Sequence, residues 1–516
     1  MAGILLLRTF MAMIWSDRTV RFLSVCLFAG AFAWLWYLRG HTGVPWDEPW
    51  QQNLGVKSWD FATGRNEALL SIQNRYHGGG VETLSEGICR AAGVYSFAGK
   101  VGVRRTVIIC IFLCGAWFLW SAAARMTGKK IWGLAAAAML FFTPRIMVHA
   151  AVNSKDLPLL SVAAFFLWCC VRFRHRPGLL RACWCGVGAG AMVALRIPAV
   201  YVLFLWIFLW GCTYPPADVP KRRWAGMLPL FLTVSVLSTY VFWPVLWGGP
   251  FIRFAEAWAF MSRFPWENEV LFMGRFIPAQ NLPPAYIPVW IGITVPLLWS
   301  LLFLGGALTA AFRFFKKPRT YGLPVFLAGF VAAPVAAVVL MHSVVYDEWR
   351  HLFFVYPALI LTGVWWLDDI GTRVNRRVFA TAVLCLFALQ SGEVAAWCAA
   401  NPRFTYLYLN PAARFLPCGT FEGDYWGLSY REANRFLLDT YDGTPLRIRY
   451  VHLPGLYNHW ALPDADREKL RIVPYHEADY LITNHRFEKE SFNFGDVVFE
   501  ERVDGCAVIT VYKKIR

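Results

Sequence analysis

Trp46-Asp47-Glu48 places two adjacent carboxylates where charge is unusual. They follow the apolar run 22–38, inside Gly40-His41-Thr42-Gly43-Val44-Pro45-Trp46-Asp47-Glu48-Pro49-Trp50. An acid pair tucked under aromatic side chains at a membrane boundary suits a general base or an acceptor-binding carboxylate, because a low local dielectric changes its proton affinity. A solvated pair in a loop is the plainer alternative. Pro45 and Pro49 stiffen this backbone, and Trp46 and Trp50 can hold it at the interface, which favours the functional reading.

Two further clusters carry ionisable groups at the ends of apolar runs. The segment from Thr143 to Pro158 contains Arg145, His149, Lys155 and Asp156. Charges this close to hydrocarbon are costly and tend to face a site. Capping by Asn153 or Ser154, with Asp156 at a helix N-terminus, explains part of the pattern without function. Tyr346-Asp347-Glu348-Trp349-Arg350-His351 is the third cluster. Arg350 and His351 suit a phosphate, which a planar guanidinium meets with two parallel hydrogen bonds; pairing of Arg350 with Asp347 or Glu348 is the other reading. Arg196, alone between two apolar runs, either binds a phosphate or snorkels.

The elements that must position these groups are membrane-spanning. The 516 residues are 57% hydrophobic and 16% charged, with a mean hydropathy of +0.43, which excludes an ordinary soluble globule. Aromatics at 17%, including 26 tryptophans, suit many helix ends at membrane interfaces. The net charge of +17 does not point to nucleic acid, because the Lys and Arg clusters sit in short segments between apolar runs. Most of the 13 cysteines lie inside those runs as small hydrophobes, without zinc-site spacing; Cys418 and Cys506 are candidates for a disulfide in an oxidising compartment.

Charged punctuation predicts about eleven spans, at 22–38, 106–124, 131–148, 157–171, 181–195, 198–214, 224–243, 287–312, 322–341, 352–367 and 378–398. Basic clusters around Arg8, Arg18 and Arg21, Lys129 and Lys130, Arg172 to Arg181, Lys221 to Arg223, Arg313 to Arg319 and Arg373 to Arg377 then share one face. That face is cytoplasmic by the positive-inside rule, with the N-terminus inside and the C-terminus outside. Arg104 and Arg105 dissent from the pattern. The predicted architecture is therefore an α-helical polytopic membrane domain over 1–400, including a first outer loop at 39–105, and an extracytoplasmic α/β domain over 401–516. Strands are expected at 447–451, 478–482 and 507–512, and a helix at 430–438.

Four features together resemble the GT-C glycosyltransferases, in particular the protein O-mannosyltransferase and aminoarabinose-transferase-like group (family 39). They are the first outer loop opening on Asp47-Glu48, its long and amphipathic remainder, Asn153-Ser154-Lys155-Asp156-Leu157-Pro158 after the third span, and the eleven-span layout. The resemblance covers roughly 10–400 and implies inverting transfer of a sugar from a polyprenyl-phosphate donor to a glycan, lipid or protein acceptor. It implies Asp47 as the base, Glu48 as its support and Asp156 as the second outer-loop acid. Arg350 and His351 are the candidates for holding the donor phosphate, with Arg145 and Lys155 in reserve. Some GT-C relatives bind a divalent ion at such an acid pair, but this group is thought to work without one, so neither metal nor other cofactor is expected. No loop is long enough for the β-trefoil insert of eukaryotic O-mannosyltransferases, and Glu422-Gly423-Asp424-Tyr425-Trp426-Gly427 matches no catalytic motif. The compact size favours a bacterial inner membrane with the site facing the periplasm. The competing class is a lipid-linked saccharide transporter or flippase. That class is disfavoured because the notable charges gather at one face and no repeat is visible.

Overall fold

Long apolar runs without internal partners for their backbone groups fold as helices, since only helices and closed barrels satisfy every N–H and C=O in lipid. The computed structural model describes residues 16–213, 219–488 and 492–515. Arg8 and the last residue of the 198–214 span lie outside the described residues. Among the described residues, eight helices are long and apolar enough to cross a membrane: Asp17–His41, Phe97–Thr127, Asp156–His175, Lys221–Phe242, Leu297–Phe314, Pro318–Leu340, Arg350–Gly371 and Arg376–Ala400. The protein is an integral membrane protein of predominantly helical architecture.

Four expected spans take a different form. The run 131–148 is a pair of helices, Lys130–Phe141 and Pro144–Val152, bent by 74°. Pro144, in the first turn of the second helix, cannot donate to the preceding turn, so the first helix ends before it. The runs 181–195 and 198–214 fall on the shorter helices Leu179–Leu195 and Tyr201–Cys212. The expected single helix 287–312 breaks at Val295-Pro296 into Tyr286–Thr294 and Leu297–Phe314. Leu179–Leu195 packs closely on Lys221–Phe242 because it is glycine-rich: a Cβ on Gly190 would sit 2.3 Å from the Ser235 carbonyl oxygen.

The 39–105 segment, expected as the first outer loop, contains the helices Glu48–Ala62 and Gly80–Ala91. The second turns its polar face inward, burying Glu82, Ser85 and Glu86 while Leu84 and Ile88 stay exposed. Such a helix lies along an interface with its apolar side toward lipid.

After the last long helix the chain forms a five-stranded sheet in the spatial order Leu470–Ile472, Leu446–Tyr450, Tyr480–Thr483, Cys506–Lys514, Gly495–Val503. The first three are parallel and the last two antiparallel to their neighbours. Helix Tyr430–Asp439 packs Tyr430, Ala433 and Leu437 against Ile448, Ile482, Ile509 and Val511. Three of the strands match the alternation of apolar residues in the sequence. Leu470–Ile472 is too short to show a period, and in Gly495–Val503 the charges Asp496, Glu500, Glu501 and Arg502 break the apolar alternation. A Cys418–Cys506 disulfide ties the sheet to the segment that leaves the membrane helices.

Candidate active site

The loop carrying Asp47 is clamped between the first helix and the C-terminal segment. Thr42 ends helix Asp17–His41 by donating its hydroxyl to Leu38 O at 2.7 Å. Val44 N donates to Asn458 Oδ1 at 2.8 Å, Asn458 Nδ2 returns a bond to Val44 O at 3.0 Å, and Trp46 N donates to Trp426 O at 3.0 Å. Gly43 is required by close approach: a Cβ there would meet Leu428 O at 2.1 Å. Asp47 then stands at the start of helix Glu48–Ala62, with Pro49 in its first turn.

Two elements far apart in sequence converge on Asp47, and a third joins them through Asp156. Asp47 Oδ2 accepts from Arg350 Nη1 at 3.1 Å and from Lys155 Nζ at 3.4 Å. The same Arg350 nitrogen reaches Asp156 Oδ2 at 3.3 Å, and Arg350 Nη2 reaches Asp347 Oδ2 at 2.9 Å. Arg196 donates from both Nε and Nη2 to Asp156 Oδ1. Lys155 and Asp156 are presented by a tight turn in which both backbone N–H groups bond Asn153 Oδ1. Arg350 is fully buried and Asp156 is 1% exposed, but the Asp47 side chain is 28% exposed. Asp47 is thus the acid of this cluster that an incoming molecule can touch.

Electrostatics follow from this arrangement. Burial pushes the Asp47 carboxyl up, but Lys155 and Arg350 outweigh it and hold it at about 2. Burial lowers Lys155 despite Asp47 and Asp156. His77, beside the cluster, is held well below the usual imidazole range by burial and then by Lys155 and Arg196, so it is neutral. His351 faces Tyr346 edge-on, with ring centroids 4.7 Å apart. Arg350 lies over the rings of Tyr346 and Trp426.

Glu48 points elsewhere. Its Oε1 accepts from Arg104 Nε at 2.8 Å and from Gln52 Nε2 at 3.0 Å, and it is 4% exposed. Arg104 also bonds Ser154 Oγ, which donates to Glu82. Adjacent residues at a helix start cannot both face one partner, so the pair divides between the open cluster and a buried network. Arg145 and His149 belong to a further network. Arg145 donates to Tyr408 O and to Glu348 Oε2. His149 lies 3.0 Å from Tyr425 OH through Nε2 and 3.0 Å from Asn153 Nδ2 through Nδ1. Tyr425 donates to Glu348 and Asn153 donates to the ring, so His149 is the neutral tautomer with its proton on Nε2. Asp347 and Glu348 are successive residues at φ 55° and 60°, a conformation costing about 1–3 kcal/mol each that sends their side chains to separate partners.

Sequence reasoning did not single out Arg104 as a site residue, nor Glu82, His77, Tyr425 or Arg486. Arg486 comes from beyond the last parallel strand, donates to Asp347 Oδ1 at 2.5 Å and lies 4.8 Å over the Trp46 ring. The one signal available was the departure of Arg104 and Arg105 from the positive-inside pattern, which marks them as buried and paired rather than exposed. Among the described residues no three His, Cys, Asp or Glu side chains come together to hold a metal ion.

No protein-family model matches the chain, and no curated protein does. Solved structures it is similar to include ArnT from Cupriavidus metallidurans bound to undecaprenyl phosphate, at 12% identity over 94% of this chain and 97% of that one, with a TM-score of 0.49. The apo state of that protein aligns at 14% identity over the same shares, with a TM-score of 0.46. The arabinofuranosyltransferase AftD from Mycobacteria aligns at 14% identity over 96% of this chain and 40% of that one, with a TM-score of 0.45. Similarity at this level carries no weight for the site, whose reading rests on its side-chain geometry.

Proposed function

We propose that this chain is a GT-C-type inverting glycosyltransferase, moving a hexosyl or pentosyl group from a polyprenyl-phosphate donor to an acceptor on the periplasmic face of a bacterial inner membrane. The observation that carries the reading is the position of Asp47 Oδ2 between Lys155 Nζ and Arg350 Nη1, with its side chain open on the remaining side. A base and two cations within reach of one another are what such a transfer needs. The Cys418–Cys506 bond fits an oxidising compartment on the side of the sheet.

In the resting site the base is quenched by the cations that a donor phosphate would also seek. A phosphate diester entering at Asp47 competes for Arg350 and Lys155, and Asp47 loses the partners that hold it at about 2. Its proton affinity then rises as the donor seats. The acceptor hydroxyl oxygen attacks the anomeric carbon from the face opposite the phosphate, and its proton passes to Asp47. The bond from that carbon to the phosphate oxygen breaks, and the electron pair leaves with the phosphate. The charge gained by the phosphate meets Arg350 and Lys155 in a dry, preorganised site. Asp156 and Asp347 hold Arg350 in place, and Asp156 also holds Arg196 near the same position. Arg145, His149 and Glu48 act through the networks behind it.

The test is release of lipid phosphate by the purified protein from synthetic polyprenyl-phosphate sugars, with a cell extract as acceptor source. Release that depends on Asp47 supports the reading. A folded protein that releases nothing from any donor overturns it in favour of the transporter class.

A further inference from the structure

A second concentration of positive charge lies at the outer end of the first membrane helix. Arg39, Arg105 and Arg431 line one cavity of about 270 Å³, together with Ala98, Gly102 and Asn458, and no carboxylate is among its lining residues. Part of this charge has a structural use. Arg105 donates to the carbonyls of Arg39, Thr42 and Gly43, and Arg431 donates to those of Gly40 and His41. These are the last carbonyls of helix Asp17–His41 and the residues after it, whose dipole is worth about half a negative charge. Half a charge does not balance three guanidiniums. Glu432, 3.4 Å from Arg431, is shared with Arg403. Arg39 uses only Nε, toward Gly102 O and Thr106 Oγ1, so among the described residues its two terminal nitrogens have no hydrogen-bond partner.

The surroundings give the cavity a direction. Arg39 lies 4.6 Å over the Trp36 ring, and Trp36 and Phe32 are about half exposed on the same helix. One turn separates each of these residues from the next, so an apolar stripe runs along the membrane helix and ends at the cationic cavity. We infer that this cavity is an anion site for a phosphate group, distinct from the Asp47 centre. A volume just under the range of whole-ligand pockets, about 300 Å³ and above, suits a headgroup whose chains lie outside along the stripe. Two parallel hydrogen bonds from the free end of Arg39 would hold the phosphate. The site touches the reaction centre indirectly, since Arg105 grips the carbonyls of Thr42 and Gly43 that lead into Asp47.

The test uses the full-length purified protein. Native mass spectrometry compares retention of phosphatidylglycerol with that of diacylglycerol of the same chains. A parallel arm measures the thermal midpoint in millimolar inorganic phosphate against chloride at equal ionic strength. The variants are the double change Arg39→Gln with Arg431→Gln, and Ala98→Glu, which keeps all three arginines and adds an acid at an exposed first-turn position that a helix tolerates. Phosphatidylglycerol retained over diacylglycerol, and reduced about tenfold or more in both variants, supports a lipid headgroup. A midpoint rise in phosphate that both variants abolish, without lipid selectivity, supports a free phosphate. No selectivity in either arm, or selectivity that a folded Ala98→Glu protein keeps unchanged, overturns the site.

Discussion

Arg350 Nη1 lies 3.1 Å from Asp47 Oδ2 across 303 residues of chain. The contact joins the start of the loop after helix Asp17–His41 to the beginning of the helical segment Arg350–Gly371, and the same nitrogen also reaches Asp156. One guanidinium therefore ties together the three clusters around Asp47, Asp156 and Asp347. Its burial is tolerable because Asp47, Asp156 and Asp347 surround it; a buried charge stripped of partners costs several kcal/mol.

Asp47→Asn keeps the shape of the side chain and removes its ability to take a proton. Lipid-phosphate release is expected to fall by about 10²–10⁴-fold, the usual contribution of a general base. The same carboxyl contributes to stability, since it sits at about 2 in the fold against an ordinary 3.8. A lowered carboxyl gives stability that is fully present above pH ~4 and is lost as pH falls toward 2, worth about 2 kcal/mol. The variant should lack that acid-limb loss, as thermal midpoints from pH 2 to 5 would reveal. Wild-type rates in the variant would remove Asp47 from the chemistry.

Arg350→Lys separates charge from geometry. A lysine ammonium is a point charge and cannot bond Asp347 with one nitrogen while bridging Asp47 and Asp156 with another. The buried network should lose about 3 kcal/mol of stability, and the KM for the polyprenyl donor should rise at least tenfold. Donor-concentration curves on the folded variant decide this. An unchanged KM would place the phosphate elsewhere.

Glu422 carries a prediction of opposite sign in pH. It is buried beside Asp347, Arg486 and Glu348, and burial with the Asp347 charge pushes its carboxyl up to about 8. A raised carboxyl favours the fold below about 4.5, where the unfolded chain is also protonated; that stability drains away as pH rises from 4.5 to 8. Glu422→Gln removes the proton linkage. The stability difference between variant and wild type should therefore grow in favour of Gln from pH 5 to 8, by about 1.4 kcal/mol per pH unit at most. A flat difference would show that Glu422 is ionised throughout.

How far the sequence reveals this site depends on the kind of residue. Asp47, Lys155, Asp156, Arg196 and Arg350 are legible because charges at the ends of apolar runs are too costly to be idle, and the structure brings all five together. The division of labour between Asp47 and Glu48 is not legible. It depends on helix rotation at Pro49 and on Arg104, whose position inside a long helix looked like the end of a loop. Arg486 is invisible because its partner Asp347 lies 139 residues away in the chain, and nothing in the residues around it repeats or alternates. The membrane helices follow from hydropathy, but the 74° bend before Pro144 and the break at Pro296 are local effects of single prolines that a hydropathy window averages away.

Gly43→Ala tests whether the C-terminal segment sets the geometry of the loop that carries Asp47. The added Cβ would lie 2.1 Å from the Leu428 carbonyl oxygen and 2.7 Å from Asn458 Oδ1. A backbone carbonyl cannot swing aside as a side-chain tip can, so the loop or the 427–429 segment must move. Val44 and Trp46 would lose register with Asn458 and Trp426, carrying Asp47 out of line with Arg350 and Lys155. A displacement of about 1 Å at such a position is expected to lower the rate about 10²-fold. Gly226→Ala is the control, because that glycine lies inside helix Lys221–Phe242 with nothing within 4 Å of the added atom, and alanine there should be neutral or slightly stabilising. Single-turnover transfer with limited proteolysis of the C-terminal segment reads both effects. A slower Gly43→Ala protein with a loosened C-terminal segment means that this segment holds the base in place. Full activity with the segment loosened would mean that Asp47 is positioned by the membrane helices alone.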